Sequence, residues 1–286
     1  MYEGGDVDLV AVGLVLVAAV AHAAWNFAAK RASTGGALFV WLYQAMSAVI
    51  CLPVALIALT YAEPQWSWLF VAGVSAVLHV AYGLVLQRSY AVGDMSVVYP
   101  VARGSGPLLS VIAAMVFLHE RPGPWALVGA ALVVAGVFVV GLGKKQVSIG
   151  PSVFYGGLTG VTIAAYTLWD AHSVRTMPPL IYFATGAVFQ SLILAPVAAR
   201  NGGRVVELWR RHKVEVLVIA VLSPAAYICV LYAMRIAPVS MVAPARELSI
   251  VFGSLIAWRW LGEPDPVRRL TGAAVVLAGV AAIALA

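Results

Sequence analysis

The sequence predicts an all-α integral membrane protein of ten transmembrane helices, arranged as two inverted five-helix repeats. Three observations carry this. Of its 286 residues, 63% are hydrophobic and 10% charged, and the mean hydropathy is +0.95. A soluble domain typically carries about 25% charged residues, and its exterior must be wetted, so this composition calls for lipid as the solvent. Second, the chain breaks into ten apolar runs, and a helix needs about 20 such residues to cross a bilayer. Third, the chain nearly repeats at an offset of 143 residues.

The ten spans are expected at 9–29, 36–60, 66–88, 95–118, 124–142, 150–172, 178–199, 214–235, 238–260 and 267–285. Barrel strands alternate polar and apolar residues, whereas WALVGAALVVAGVFVVGLG is apolar on every side. The first run follows an acidic start, MYEGGDVD, and ends in Lys30–Arg31, so it reads as a retained helix rather than a signal peptide. The largest loop is expected at Ala199–Lys213, a basic stretch. With no loop able to fold into a catalytic domain, any chemistry belongs inside the bundle.

The net charge of +6 serves orientation. With the N-terminus on side one, that side carries three basic residues, Arg121, Arg175 and Arg235. The other side carries thirteen, while Arg103 and Arg246 fall inside spans. The basic side is cytoplasmic, so both termini are expected to be extracytoplasmic in a prokaryotic-type, multi-pass cell-membrane protein. No basic stripe interleaves with aromatics, and nucleic acid is not an expected partner. Cys51 and Cys229 sit in apolar runs and read as small hydrophobes.

Three matches define the repeat. GAALVVAG (Gly129–Gly136) recurs as GAAVVLAG (Gly272–Gly279), the acidic Glu120 of LHE as Glu263 of LGE, and Arg103 of PVAR as Arg246 of PAR. The first unit is then 1–143 and the second 144–286. Five spans per unit is an odd number, so the second enters from the opposite side. Secondary transporters use this inverted arrangement for alternating access. The paired glycines, seven apart, fit close helix packing. Each glutamate precedes a proline and a new helix, and is expected at that helix's N-terminus.

With these two five-helix halves, the acidic residue after the fourth helix of each and the following GAxxxxAG helix, the chain resembles the EamA-like ten-helix carriers of the drug/metabolite transporter superfamily. The resemblance implies a carrier of a metabolite, amino acid or drug. It implies helices one, three, four, six, eight and nine around a central cavity, with five and ten at the periphery.

Polar residues inside the spans point the same way, since a charge at the bilayer centre costs about 2.5–3.5 kcal/mol on insertion scales. Arg103 and Arg246 are candidate anion-binding groups, and Glu247 either couples transport to an ion or locks helices four and nine. Pro100, Gly104, Gly106 and Pro244 weaken the helix ladder beside them. His22, Trp25 and Asn26 share one face of helix one. Tyr166, Trp169 and Asp170 share a face of helix six, with Asp170 a second coupling candidate or an interfacial anchor alongside Trp169. His79 and Tyr82 on helix three, Tyr99 one turn before Arg103, and Tyr227 on helix eight complete the substrate-binding candidates.

No HExxH, CxxC, GxSxG or P-loop is present, and the five histidines lack ligand spacing. No metal, cofactor or catalytic residue is expected. The expectation is a secondary-active carrier of a small polar, amino-acid-like or anionic metabolite, surrounded by lipid, as a monomer or homodimer. The rival reading is an intramembrane enzyme acting on lipid or isoprenoid head groups, for which the sequence lacks clustered Asp or His.

Overall fold

A computed structural model describes residues 9–31, 36–92, 95–141, 149–252 and 266–285. These are helical nearly throughout: α1 (Leu9–Arg31), α2 (Gly36–Leu59), α3 (Trp66–Val92), α4 (Met95–Phe117), α5 (Pro124–Gly141), α6 (Ile149–Ser173), α7 (Pro179–Arg200), α8 (Gly202–Ile236), α9 (Val239–Ala245) and α10 (Pro266–Ala284). Among the described residues, four helices contain stretches long and apolar enough to cross a membrane: α2, α3, α7 and α8. Shorter apolar stretches lie in α1, α4, α5 and α10. Val49, Ile57, Phe70, Val77, Leu192 and Val221 are exposed, as a lipid-facing surface requires.

The helices pack in pairs. The main contacts are α5 on α10, α4 on α6, α1 on α8 and α2 on α7, with α3 on α6 and α7 and α2 on α8. Exchanging each helix with the one five places along the chain converts α1 on α8 into α6 on α3, and α2 on α8 into α7 on α3. It leaves α5 on α10 and α2 on α7 unchanged. Small residues permit the close approaches. Ala11, Val15 and Ala18 of α1 meet Val230, Ala233 and Met234 of α8 in one core cluster.

The repeated glycines face each other. A Cβ on Gly129 would lie 2.5 Å from the Gly279 carbonyl oxygen, and one on Gly136 would lie 2.7 Å from that of Gly272. The contact is reciprocal, at 2.6 Å from Gly279 to Gly129 and 2.8 Å from Gly272 to Gly136. The backbones of α5 and α10 therefore cross at a distance that no side chain at these positions permits. Helix packing, as expected, is the use of this motif.

Two expectations change. The basic stretch at Ala199–Lys213 is not a loop: α7 reaches Arg200, and α8 begins at Gly202 and kinks at His212 (φ −128°, ψ 26°). The reason is amphipathic spacing. Val205, Leu208 and Trp209 form one face, which packs with Leu38 and Phe39, while Arg204, Glu207, Arg210 and Arg211 are exposed. Helix four does not break at Pro100, Gly104 or Gly106, since α4 is continuous from Met95 to Phe117. Helix nine does tighten: after Pro244 the chain turns as a 3₁₀ helix over Arg246–Leu248 before residues 249–252 resume the α form. The rest of that expected span, Glu263 and most of the junction at 144–150 lie outside the described residues.

Glu120 caps a helix, but not the one that follows it. Its Oε1 accepts the Val239 N–H at 2.8 Å and its Oε2 accepts the Ser240 N–H at 2.9 Å. Both donors belong to the first turn of α9, which has no side-chain cap of its own. The carboxylate is where the positive end of a helix favours it. Folding, rather than sequence proximity, selects which helix that is.

Candidate functional site

Two polar clusters form where α3, α4, α6, α8 and α9 meet. The first is cationic. Arg103, on α4, directs Nε to Glu247 Oε2 at 3.0 Å and donates from Nη2 to Ser249 Oγ at 3.1 Å. The Nε of Arg246 lies 4.0 Å from the other Glu247 oxygen. Glu247 is fully buried and Arg246 nearly so, at 4%. The 3₁₀ turn after Pro244 is what presents Arg246, Glu247 and Ser249 together. Glu247 occupies the helix-locking position considered for it, with its partner on α4. Two guanidinium groups and one carboxylate leave this cluster one positive charge in excess. On α1, His22 feels both Arg103 and Arg246 and stands edge-on to Trp25, with ring centroids 4.8 Å apart.

The second cluster is built on Asp170, in the penultimate turn of α6 and fully buried. Its Oδ1 accepts hydrogen bonds from Ser75 Oγ at 2.7 Å and Tyr182 Oη at 2.6 Å. Its Oδ2 accepts one from Tyr227 Oη at 2.5 Å and lies 3.6 Å from His79 Nε2. Helices α3, α7 and α8 thus converge on one carboxylate of α6. Complete burial and four polar neighbours rule out the interfacial-anchor role considered for Asp170. A carboxyl group at such depth needs this degree of hydrogen bonding.

Tyrosines join the clusters. Tyr166 stacks on His79 with ring centroids 4.3 Å apart, and meets Tyr82 edge-on at 5.4 Å. Tyr227 stands edge-on to His79 at 5.6 Å. The charge of Arg246 acts on both Tyr166 and Tyr227. Trp169 commits its indole N–H to the Val71 carbonyl at 2.8 Å, tying α6 to α3.

Of the candidate residues, His22, His79, Tyr82, Arg103, Tyr166, Asp170, Tyr227, Arg246 and Glu247 belong to these clusters or their aromatic surround. Trp25 stands against His22, and Trp169 lies on the outer side of α6 against Phe70. The side chains of Asn26 and Tyr99 lie outside the described residues. Ser75, Tyr182 and Ser249 went unrecognised in the sequence. Ser75, four residues before His79, carried a usable signal in its shared helix face. Tyr182 carried none, because α7 has no other polar group directed at Asp170. Among the described residues, no group of three or more His, Cys, Asp or Glu side chains could hold a metal ion.

A crystal structure of another protein superimposes with a TM-score of 0.76 over 95% of each chain at 15% identity, which establishes a shared fold. A curated protein of Streptantibioticus cattleyicolor, named "Probable terminal-alkyne amino-acid exporter", is 28% identical over 196 residues. That match covers 61% of this chain and spans 59% of the relative's length. The model of the EamA-like transporter family matches twice, over residues 9–142 and 150–285. The family is one of transporters, and the relative is named as an exporter. With nearly all of its length covered by these two matches, the chain belongs to the EamA-like transporter family, whose members are integral membrane proteins.

Proposed function

We propose that the protein is a secondary-active carrier of a small zwitterionic or anionic metabolite, amino-acid-like in its head group, working by alternating access in the cell membrane. The observation that carries this reading is the pair of buried clusters linked by Tyr166 and Tyr227. One carries a surplus positive charge at Arg103, Arg246 and Glu247, and the other is centred on the Asp170 carboxylate. A carboxylate and an ammonium on one small molecule are complementary to such a pair.

The ten-span inverted arrangement is part of the same proposal. The two separate family matches support it, as do helix contacts that interconvert when the halves are exchanged. The cavity lies between units 1–143 and 144–286, lined by α1, α3, α4, α6, α8 and α9. No nucleotide-binding motif is present in the sequence, which favours coupling to an ion or substrate gradient.

Reconstitution into liposomes tests the function. Counterflow of labelled L-propargylglycine, a terminal-alkyne amino acid, is measured against labelled L-leucine, a dicarboxylate and a lipophilic cation. Saturable exchange of an amino acid or anion, abolished in Arg246→Ala, is the expected result. Exchange of the lipophilic cation alone would overturn the reading.

A further inference from the structure

Resting on the transport reading above, we propose that His79 and Asp170 form the proton-coupling site of the carrier. A transferable proton on His79 Nε2 is displaced when the ammonium group of a zwitterionic substrate binds, giving one-for-one proton–substrate antiport.

The tautomer follows from geometry. His79 Nδ1 lies 2.9 Å from the Ser75 carbonyl oxygen. A carbonyl can only accept, so Nδ1 carries a hydrogen. The remaining nitrogen, Nε2, faces Asp170 Oδ2 at 3.6 Å. Three hydroxyl donors already serve the Asp170 carboxylate. With Nε2 protonated, the two side chains form an ion pair. With Nε2 bare, a lone pair faces an anion, and the cluster gains one negative charge. The same site therefore has two charge states that differ by one proton.

Asp170 is fully buried, while the His79 side chain is 18% exposed. Behind Asp170, Tyr182 belongs to a closed apolar cluster with Trp68, Val174, Met177, Ile181 and Leu231. The partly exposed imidazole thus gives a proton a path to the buried carboxylate, beside the half-buried Tyr227 that donates to the same oxygen.

The surrounding charges fit an exchange. From the elements packed on α6, the facing ionisable groups are His79 on α3, Tyr227 on α8 and Arg246 after α9, while Arg103 on α4 is turned to Glu247. Tyr182 faces Asp170 from α7, and Tyr166 covers His79 from α6 itself. Only the deprotonated His79 state offers an ammonium group a negatively charged partner while the Arg103–Arg246–Glu247 cluster holds a carboxylate. An imidazolium and a substrate ammonium at one carboxylate repel each other. Mutual exclusion of the two is the physical basis of antiport. Glu247 does not fill this role, because two fixed guanidinium groups engage it.

The test separates coupling from transport. In liposomes held at zero voltage with potassium and valinomycin, a gradient of one pH unit should drive about tenfold accumulation of L-propargylglycine by the wild type, since one proton then supplies about 1.4 kcal/mol. His79→Gln should lose accumulation, and any counterflow it keeps should no longer vary with pH. Accumulation surviving in His79→Gln overturns the proposal. If the wild type shows no counterflow, the transport reading fails instead. The proton site is then still decided by ¹⁵N-histidine spectra in nanodiscs without substrate. His79 should show the Nδ1–H tautomer, gain a proton at Nε2 as the pH falls, and do so over a different pH range in Asp170→Asn. A His79 signal indifferent to pH, or unmoved by Asp170→Asn, overturns the site by itself.

Discussion

The carboxylate of Glu120 closes the first turn of α9 by accepting the Val239 N–H at 2.8 Å, with Ser240 on its other oxygen. A residue at the end of α4 thereby holds the start of the helix that carries Arg246 and Glu247. Glu120→Ala removes both acceptors and should lower stability by about 1.5–3 kcal/mol, the range for hydrogen bonds to a charged group. Glu120→Gln keeps one acceptor and should lie between. Thermal unfolding in detergent checks the order, and an unchanged midpoint in Glu120→Ala would refute the cap.

The α5–α10 crossing should be intolerant of one methyl group. Gly136→Ala places a Cβ 2.7 Å from the Gly272 carbonyl and should cost about 1–3 kcal/mol, as overpacking does. Gly13→Ala, on α1 with nothing within 4 Å of the added carbon, is the control. It should be neutral or stabilising, by at most about 1 kcal/mol, because alanine is the better helix former. Equal midpoints for the two variants would refute the close contact.

Charge counting ranks the buried ionic cluster. Glu247→Gln leaves Arg103 and Arg246 facing each other without an anion, and should lose about 3–5 kcal/mol. Arg103→Gln leaves Arg246 and Glu247, a neutral pair, and should lose less. Arg103→Lys keeps the charge but not the planar fork that reaches Glu247 and Ser249 together, so partial activity is expected. Denaturation midpoints give the ranking, and Arg103→Gln more damaging than Glu247→Gln would reverse the assignment.

His119, two residues beyond α4, has φ 55°, a conformation costing a residue with a Cβ roughly 1–2 kcal/mol. The repeat places Gly262 at the equivalent position. His119→Gly should therefore raise stability by up to about 1 kcal/mol, and His119→Val should lower it. Calorimetry on the two variants distinguishes backbone relief from a side-chain role for the imidazole.

Topology is testable without purified protein. The three-against-thirteen distribution of basic residues predicts that a reporter active only outside the cytoplasm works when fused after Ala286. Activity of a cytoplasmic reporter alone at that site would invert the assignment.

Much of the fold is legible in the residues because lipid simplifies the problem. A backbone in hydrocarbon must satisfy its own hydrogen bonds, so apolar runs become helices. The 143-residue register likewise announced that Gly129–Gly136 and Gly272–Gly279 are equivalent, and seven-residue spacing announced packing. The sequence could not say that these two stretches pack against each other, since only the crossing of α5 and α10 brings Gly136 to Gly272. Amphipathic spacing in RVVELWRRH was readable, but the density of charge there suggested a loop.

Intramembrane charges flagged Arg103, Asp170, Arg246 and Glu247, because each is costly enough to demand a partner. The identity of the partner is long-range information. Arg103 and Glu247 are 144 positions apart, Ser75 and Asp170 are 95, and Glu120 and Val239 are 119. A sequence determines which side chains require neutralising and which helix face they occupy. Tertiary packing decides which helices face one another, and so turned Asp170 from a group near a helix end into a buried carboxylate held by Ser75, Tyr182, Tyr227 and His79.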